Sequence, residues 1–174
     1  MKQFITFILC LLSFSLAIGQ GSSLTKKERK EISTVFGGEP MPNQVTLPKS
    51  NEFSEGLLKE GDQLFQIIQG GEVSGYMLRT SAKGRFDYFD YNISYTPKLE
   101  VKGLLVTVYR STHGAAICQK KWLSQFEGYA GGKLVLGKEI DAISGASFSA
   151  QSMVVDIQRC HALMTELQAG GHIH

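Results

Sequence analysis

The residues with the clearest chemical potential form one short stretch near the end of the chain, Asp141-Ala-Ile-Ser144-Gly145-Ala146-Ser147. The small residues Gly145 and Ala146 allow a ligand or another backbone to approach closely. A helical pattern follows, so we expect the stretch to end at a helix N-terminus, whose free N–H groups and dipole favour a phosphate. A hydroxyl at Ser147 is well placed to carry a phosphate ester there. Taken alone, Ser144–Ser147 also fits an ordinary helix N-cap.

The whole stretch resembles the flavinylation motif of the FMN-binding domain family, Asp-x-x-[Ser/Thr]-Gly-Ala-[Thr/Ser]. That family includes the covalent-flavin subunits of the sodium-translocating NADH:quinone oxidoreductase and of the Rnf electron-transport complex, together with single-domain exported proteins. The resemblance implies covalent FMN joined by a phosphoester to Ser147, a pocket shaped by Ser144, Gly145 and Ala146, and Asp141 as the leading acid of the motif. It also implies a modifying partner, an FAD-dependent FMN transferase that uses magnesium.

The resemblance extends more loosely from Gln63 to Arg159 and includes Gly75-Tyr76 and the segment Ile117–Phe126. Two features depart from the family pattern. The usual acceptor is threonine, whereas this chain has Ser147, which offers the same nucleophilic oxygen with less χ1 restriction. In addition, residues 113–117 replace the glycine-rich, Glu-Thr-containing loop of the respiratory subunits, so we do not expect membership in those complexes.

The elements that must position this stretch follow from periodicity. Helical spacing predicts a helix over 24–36, and prolines and small polar residues predict a loop or connector over 38–56. Alternation predicts an antiparallel meander, in which the aromatic residues of the third strand share one face. The last helix is expected to have one apolar stripe, to be capped by Ser147 or Ser149, and to end at Gly170-Gly171. The expected strands are 63–68, 72–80, 85–95, 100–110 and a short 133–136, with a helical segment over 119–126. The predicted fold class is α+β, one twisted antiparallel sheet with packed helices.

The first residues predict export. Lys2 precedes an apolar run over 4–18, and Ala17-Ile18-Gly19 has cleavage-site spacing, which predicts a signal peptide over 1–19 with cleavage before Gln20. The alternative is an uncleaved anchor, although a spanning helix needs about 20 apolar residues. We therefore expect an exported protein, periplasmic or at the cell surface. The remaining chain is expected to comprise an N-terminal helix and connector (20–60), the FMN-binding domain (61–169) and a flexible tail (170–174).

Composition limits the function classes. The chain has 174 residues, 43% hydrophobic and 20% charged, with a formal net charge of +2, as expected for one folded domain without an electrostatic footprint for nucleic acid. Cys118 and Cys160 fit either a disulfide or two buried apolar residues. The sequence contains no catalytic triad, metal-binding cysteine motif or Rossmann fingerprint. Trp122 fits either a ring stacked on flavin or a buried anchor, and His113 fits either a donor to the flavin edge or a surface histidine.

We therefore expect an electron-transfer flavoprotein that links a membrane-bound electron donor to an extracytoplasmic acceptor, because the flavin itself does the redox chemistry. A reductase whose acceptor binds beside the flavin is indistinguishable from this carrier by sequence. The alternative from a different class is a small exported binding or scaffold domain of the same fold without covalent flavin.

Overall fold

The computed structural model describes residues 24–174. Helix α1 is followed by five strands, the short helix α2 and the long C-terminal helix α3. Three 3₁₀ turns lie at Ser50–Glu52, Ala115–Cys118 and Ser124–Phe126. The element bounds are α1 Lys26–Phe36, β1 Met41–Val45, β2 Gln63–Gln69, β3 Glu72–Lys83, β4 Tyr88–Tyr95, β5 Val101–Tyr109, α2 Lys120–Leu123 and α3 Ser147–Ala169.

The strands form one antiparallel meander in the order β1-β2-β3-β4-β5, so the predicted α+β architecture is confirmed. Gly70 and Gly71, both with positive φ, make the tight turn between β2 and β3. Alternation along β4 places four ring or branched side chains on one buried face, as predicted from their spacing. These are Phe89, Tyr91, Ile93 and Tyr95.

Helix α3 covers that face of the sheet with the apolar stripe that its sequence predicts. The stripe is almost fully buried and joins the strand side chains in one core cluster, which fixes the helix along its length. Helix α1 covers the opposite face, where Ile32 packs with Phe65, Ile67 and Met77. The buried members of the α3 stripe are Met153, Val154, Ile157, Cys160, Met164 and Leu167.

Three local predictions are wrong. The connector over 38–56 contains β1, which lies at the edge of the sheet. An edge strand tolerates Pro42 because it has a partner strand on one side only. The strand expected over 133–136 is absent from the described chain, where only a single bridge joins Leu136 to Ile140. Helix α3 is capped by neither Ser147 nor Ser149, because the N-cap position belongs to Ala146.

The C-terminal end of the described chain contacts the sheet. Residues 170–174, expected to form a flexible tail, fold back so that Ile173 is buried and the His174 backbone forms hydrogen bonds with the Tyr76 hydroxyl.

No disulfide links the two described cysteines. Both are free thiols, Cys118 exposed and Cys160 buried. Within 24–174 no helix combines the length and hydropathy that a membrane span requires. The predicted signal peptide lies outside the described residues.

Candidate functional site

Ser147 is the first residue of the 23-residue helix α3, and its side chain is exposed. Its neighbours Ala146 and Ala150 are almost completely buried, so packing against the core fixes the backbone on either side of it. Ala146 has no hydroxyl or carboxylate with which to cap the helix, and no side-chain cap is formed there. The first-turn N–H groups of an α-helix have no intrahelical partner. The hydroxyl of Ser147 therefore lies beside an uncapped, electropositive helix end.

An open cleft of about 690 Å³ lies in front of this helix end. Arg85 reaches it from the loop between β3 and β4, and His113 from the loop after β5. Both side chains are exposed, and no carboxylate is among the cleft residues of the described chain. The cleft therefore offers an arginine charge, a histidine side chain and a helix N-terminus to an anion. Its lining is Arg85, His113, Gly114, Gly145, Ala146, Ser147, Phe148 and Ser149.

The wall of the cleft is braced by hydrogen bonds between the loop after β5 and helix α3. The hydroxyls of Tyr109 and Ser149 lie 3.0 Å apart, and Tyr109 Oη also donates to the carbonyl oxygen of His113 at 2.6 Å. Gly114 has φ +87°, and a Cβ there would lie 2.5 Å from Tyr109 Oη and 3.1 Å from Ser149 Oγ. A side chain at Gly114 would therefore displace this brace as well as strain the backbone.

Asp141 is held through its backbone while its side chain is free. Trp122 Nε1 donates to the Asp141 carbonyl at 2.8 Å, and the Asp141 N–H donates to Gln125 Oε1 at 2.9 Å. The exposed carboxylate has no hydrogen bond or ion pair within the described chain. Trp122 itself is buried and packs edge-on against Phe126 at 5.2 Å, so it is the anchor that one of the two sequence interpretations expected.

The structure brings together only part of the predicted site. Gly145, Ala146 and Ser147 line the cleft, whereas Asp141 and Ser144 are exposed and are not among the cleft residues. His113, which the sequence left between two roles, is an exposed loop residue that also lines the cleft. No sequence pattern indicated Arg85, Gly114 or Tyr109 as site residues, because their loops and strand meet α3 only after folding. Ser149 was predicted only as a possible cap of α3.

A buried charged cluster lies further along the same helix. Arg159 forms ion pairs with Asp62 at 2.9 Å and with Asp156 at 2.7 Å, and Lys59 pairs with Asp156 as well. These bonds fix the connector before β2 to the middle of α3. Tyr91 donates to Asp156 at 2.8 Å beneath them. Burial, together with the Asp156 carboxylate, raises the pKa of the Cys160 thiol to about 12, so this thiol stays protonated at neutral pH.

A second, apolar groove of about 550 Å³ runs along α3 beside this cluster. Tyr88, Phe148 and Val155 line it, and each of these side chains is more than half exposed. Phe148 belongs to both the groove and the cleft at Ser147. In the described part of the chain no cluster of histidine, cysteine or acidic residues has the arrangement of a metal site.

No family model matches this sequence, and no curated protein matches it. Among solved structures, the chain is similar to the crystal structure of Shewanella oneidensis NqrC, with 16% identity and a TM-score of 0.49. The alignment covers 84% of this chain and 90% of that one. At this identity and score, the similarity assigns no family, cofactor or function to the chain.

Proposed function

We propose that this protein is an exported flavoprotein that bears FMN on Ser147 through a phosphoester and transfers electrons. The proposal rests on one observation above all, the exposed hydroxyl of Ser147 at an uncapped helix N-terminus that opens into a cleft with Arg85 and His113. The motif resemblance and this geometry are independent, because the motif says nothing about the loops that supply Arg85 and His113.

The residues present fit a phosphate ester. A phosphodiester at Ser147 carries negative charge, and the cleft faces it with the helix dipole and Arg85 while placing no carboxylate in the lining. Gly145 has φ +74°, and nothing in the described chain lies within 4 Å of where its Cβ would be. There is therefore open space beside Gly145, within the cleft that Ser147 also lines.

Attachment would be a transfer catalysed by the FMN transferase. The oxygen Oγ of Ser147 attacks the phosphorus on the flavin side of the FAD pyrophosphate, and the phosphoanhydride bond breaks to release AMP. The serine hydroxyl proton leaves to solvent or to a base on the transferase, so atoms and charges balance. Once attached, FMN supplies redox chemistry, and the protein fixes its position and electrostatic surroundings. Asp141 is free to contact the transferase and its magnesium, because its carboxylate has no partner in the described chain.

The test is intact mass after co-expression with an FMN transferase in an exporting host. We expect the mature chain to begin near Gln20 and to gain the mass of one FMN less one water, with in-gel flavin fluorescence. Ser147→Ala should show neither the mass gain nor the fluorescence. A wild-type chain that gains no mass despite an active transferase would contradict the proposal and favour the binding or scaffold domain.

The electron-transfer role requires a separate measurement. The loaded protein should be reduced by a membrane-bound electron donor and reoxidised by an extracytoplasmic acceptor, followed by bleaching and recovery of the flavin absorbance in isolated membranes. The Ser147→Ala variant controls for direct transfer to the acceptor. Equal electron flux with the loaded protein and with this variant would exclude the carrier role.

A further inference from the structure

The apolar groove has features of a ligand site that the proposed attachment at Ser147 does not explain. Its lining contains three large apolar side chains that are 53–56% exposed, namely Tyr88, Phe148 and Val155. Isolated exposed apolar residues are common, but several that line one concave surface mark a binding site. Phe148, Gln151, Ser152 and Val155 share one face of α3 at i, i+3, i+4 and i+7 spacing. The groove therefore runs along the helix away from Ser147.

The groove adjoins the cleft at Ser147, because Phe148 lines both. Phe148 and Val155 are separated by about 10 Å along the helix axis, at about 1.5 Å per residue. The five-carbon ribityl chain of FMN, with bonds of about 1.5 Å each, would span between one and two helical turns of about 5.4 Å. A ring system tethered at Ser147 therefore reaches the groove without stretching the linker.

The two concave surfaces differ in chemistry. Arg85, His113 and two glycines line the cleft, which suits an anion. The groove presents mainly aromatic and aliphatic surface, and the ion-paired residues Lys59, Asp156 and Arg159 also line it. Flat aromatic ring systems gain affinity from apolar walls with a few polar groups at the edge. Two lysines line the groove: the side chain of Lys83 has no hydrogen bond or ion pair within the described chain, while Lys59 pairs with Asp156. A cation there favours negative charge on a reduced flavin ring.

We infer that the isoalloxazine ring of an FMN attached to Ser147 lies in the groove formed by Tyr88, Phe148 and Val155, with Lys83 at its edge. The inference rests on the proposed function and adds the location of the ring, which attachment alone leaves undetermined. The phosphate stays in the polar cleft, and the ribityl chain passes Phe148. The electron would then leave or enter the protein at this face of α3.

The experiment uses the flavinylated full chain and the substitution Val155→Glu. Its matched control is Val108→Glu, in which the same change is made at another partly exposed valine, on β5 and outside the groove. Intact mass first establishes that each chain bears FMN. Visible circular dichroism of the flavin and its fluorescence anisotropy then report how firmly the ring is held. We expect Val155→Glu to reduce the induced dichroism about twofold or more, because the carboxylate opposes an apolar ring, and Val108→Glu to leave it unchanged.

A second measurement needs no variant to be loaded. In the wild-type protein, ring currents should shift the Val155 methyl resonances on flavinylation and leave those of Val108 in place. Full mass gain with unshifted Val155 methyls, or with identical dichroism in Val155→Glu and wild type, would overturn the ring location and leave the attachment intact. A wild-type chain that gains no mass would overturn the attachment and the ring location together.

Discussion

Three serines, Ser144, Ser147 and Ser149, lie within six residues at the start of α3, and their surroundings differ enough for mutation to test the proposed attachment. The side chain of Ser147 is exposed and makes no hydrogen bond within the described chain. Ser149 is buried and shares a hydrogen bond of 3.0 Å with Tyr109. Ser147→Ala should therefore abolish flavin attachment at no cost in stability, whereas Ser149→Ala should cost stability and keep the attachment.

The magnitudes follow from these contacts. Because Ala146 occupies the N-cap, Ser147→Ala removes no cap, and the better helix propensity of alanine should raise the free energy of unfolding by at most about 0.5 kcal/mol. Ser149→Ala removes one buried hydrogen bond, worth about 1 kcal/mol. Tyr109 keeps its bond to the His113 carbonyl, so no buried hydroxyl is orphaned and the loss stays near that value. In a chain of this length, 1 kcal/mol shifts the thermal midpoint by about 2–4 °C.

The assay combines urea unfolding of the unmodified chains with intact mass after co-expression with the transferase. Ser144→Ala is the matched control, since that hydroxyl is also exposed but lies outside the cleft. A fully flavinylated Ser147→Ala variant would refute the assignment of the acceptor. A stably folded Ser149→Ala variant that bears no flavin would show that the buried hydroxyl takes part in attachment, contrary to its role as a brace.

Three further variants test residues of the described chain. Ser147→Thr should be flavinylated at least as fast as wild type, measured by the time course of mass gain, because threonine is the usual acceptor in the family that the motif resembles; a slower rate would indicate a pocket fitted to serine. Asp141→Asn should keep its thermal midpoint but be flavinylated more slowly, because the carboxylate has no internal partner; a lowered midpoint with an unchanged rate would make it a structural residue. Burial favours the neutral form of Glu28, but hydrogen bonds from Arg79, Thr25 and Asn92 outweigh burial and lower its pKa from 4.5 to about 2. This group therefore stabilises the fold above about pH 4.5, and about 3 kcal/mol is lost as the pH falls through 2. Glu28→Gln should flatten that part of the stability curve in urea titrations, and an unchanged slope would mean that Glu28 is not the titrating group.

The sheet and the long helix could be predicted because their side chains carry periodic patterns that burial enforces. The alternation in β4 and the stripe in α3 both face the core, so sequence period and structure agree. Strand β1 could not be predicted in this way, because it is an edge strand with mostly exposed side chains, joined to β2 by backbone hydrogen bonds. Residues 133–136 led to the opposite error, a strand predicted where none forms. Their leucines pack on the core without a partner strand.

The N-cap shows how local preference yields to packing. Serine is a preferred N-cap residue, and two serines were available within three positions. The helix instead begins after Ala146, whose methyl group is buried in the core, while Ser149 turns inward to bond Tyr109. Because of this choice, Ser147 occupies the first helical position with its hydroxyl directed outward rather than bonded to its own backbone. If the helix began one residue later, Ser147 would be the N-cap residue and its hydroxyl would accept a hydrogen bond from the first turn.

The same packing explains why the sequence could indicate a proposed acceptor, Ser147, but not the surroundings of its hydroxyl. The proposed acceptor lies within a local motif, so seven adjacent residues were enough to suggest it. Arg85 and His113 come from loops more than thirty residues upstream and are placed by the β3–β4 hairpin and the end of β5. The groove requires Tyr88 from β4 to meet Phe148 and Val155 on α3. Buried neighbours thus hold the exposed hydroxyl of Ser147 between a polar cleft and an apolar groove, an arrangement that suits the proposed phosphate and ring.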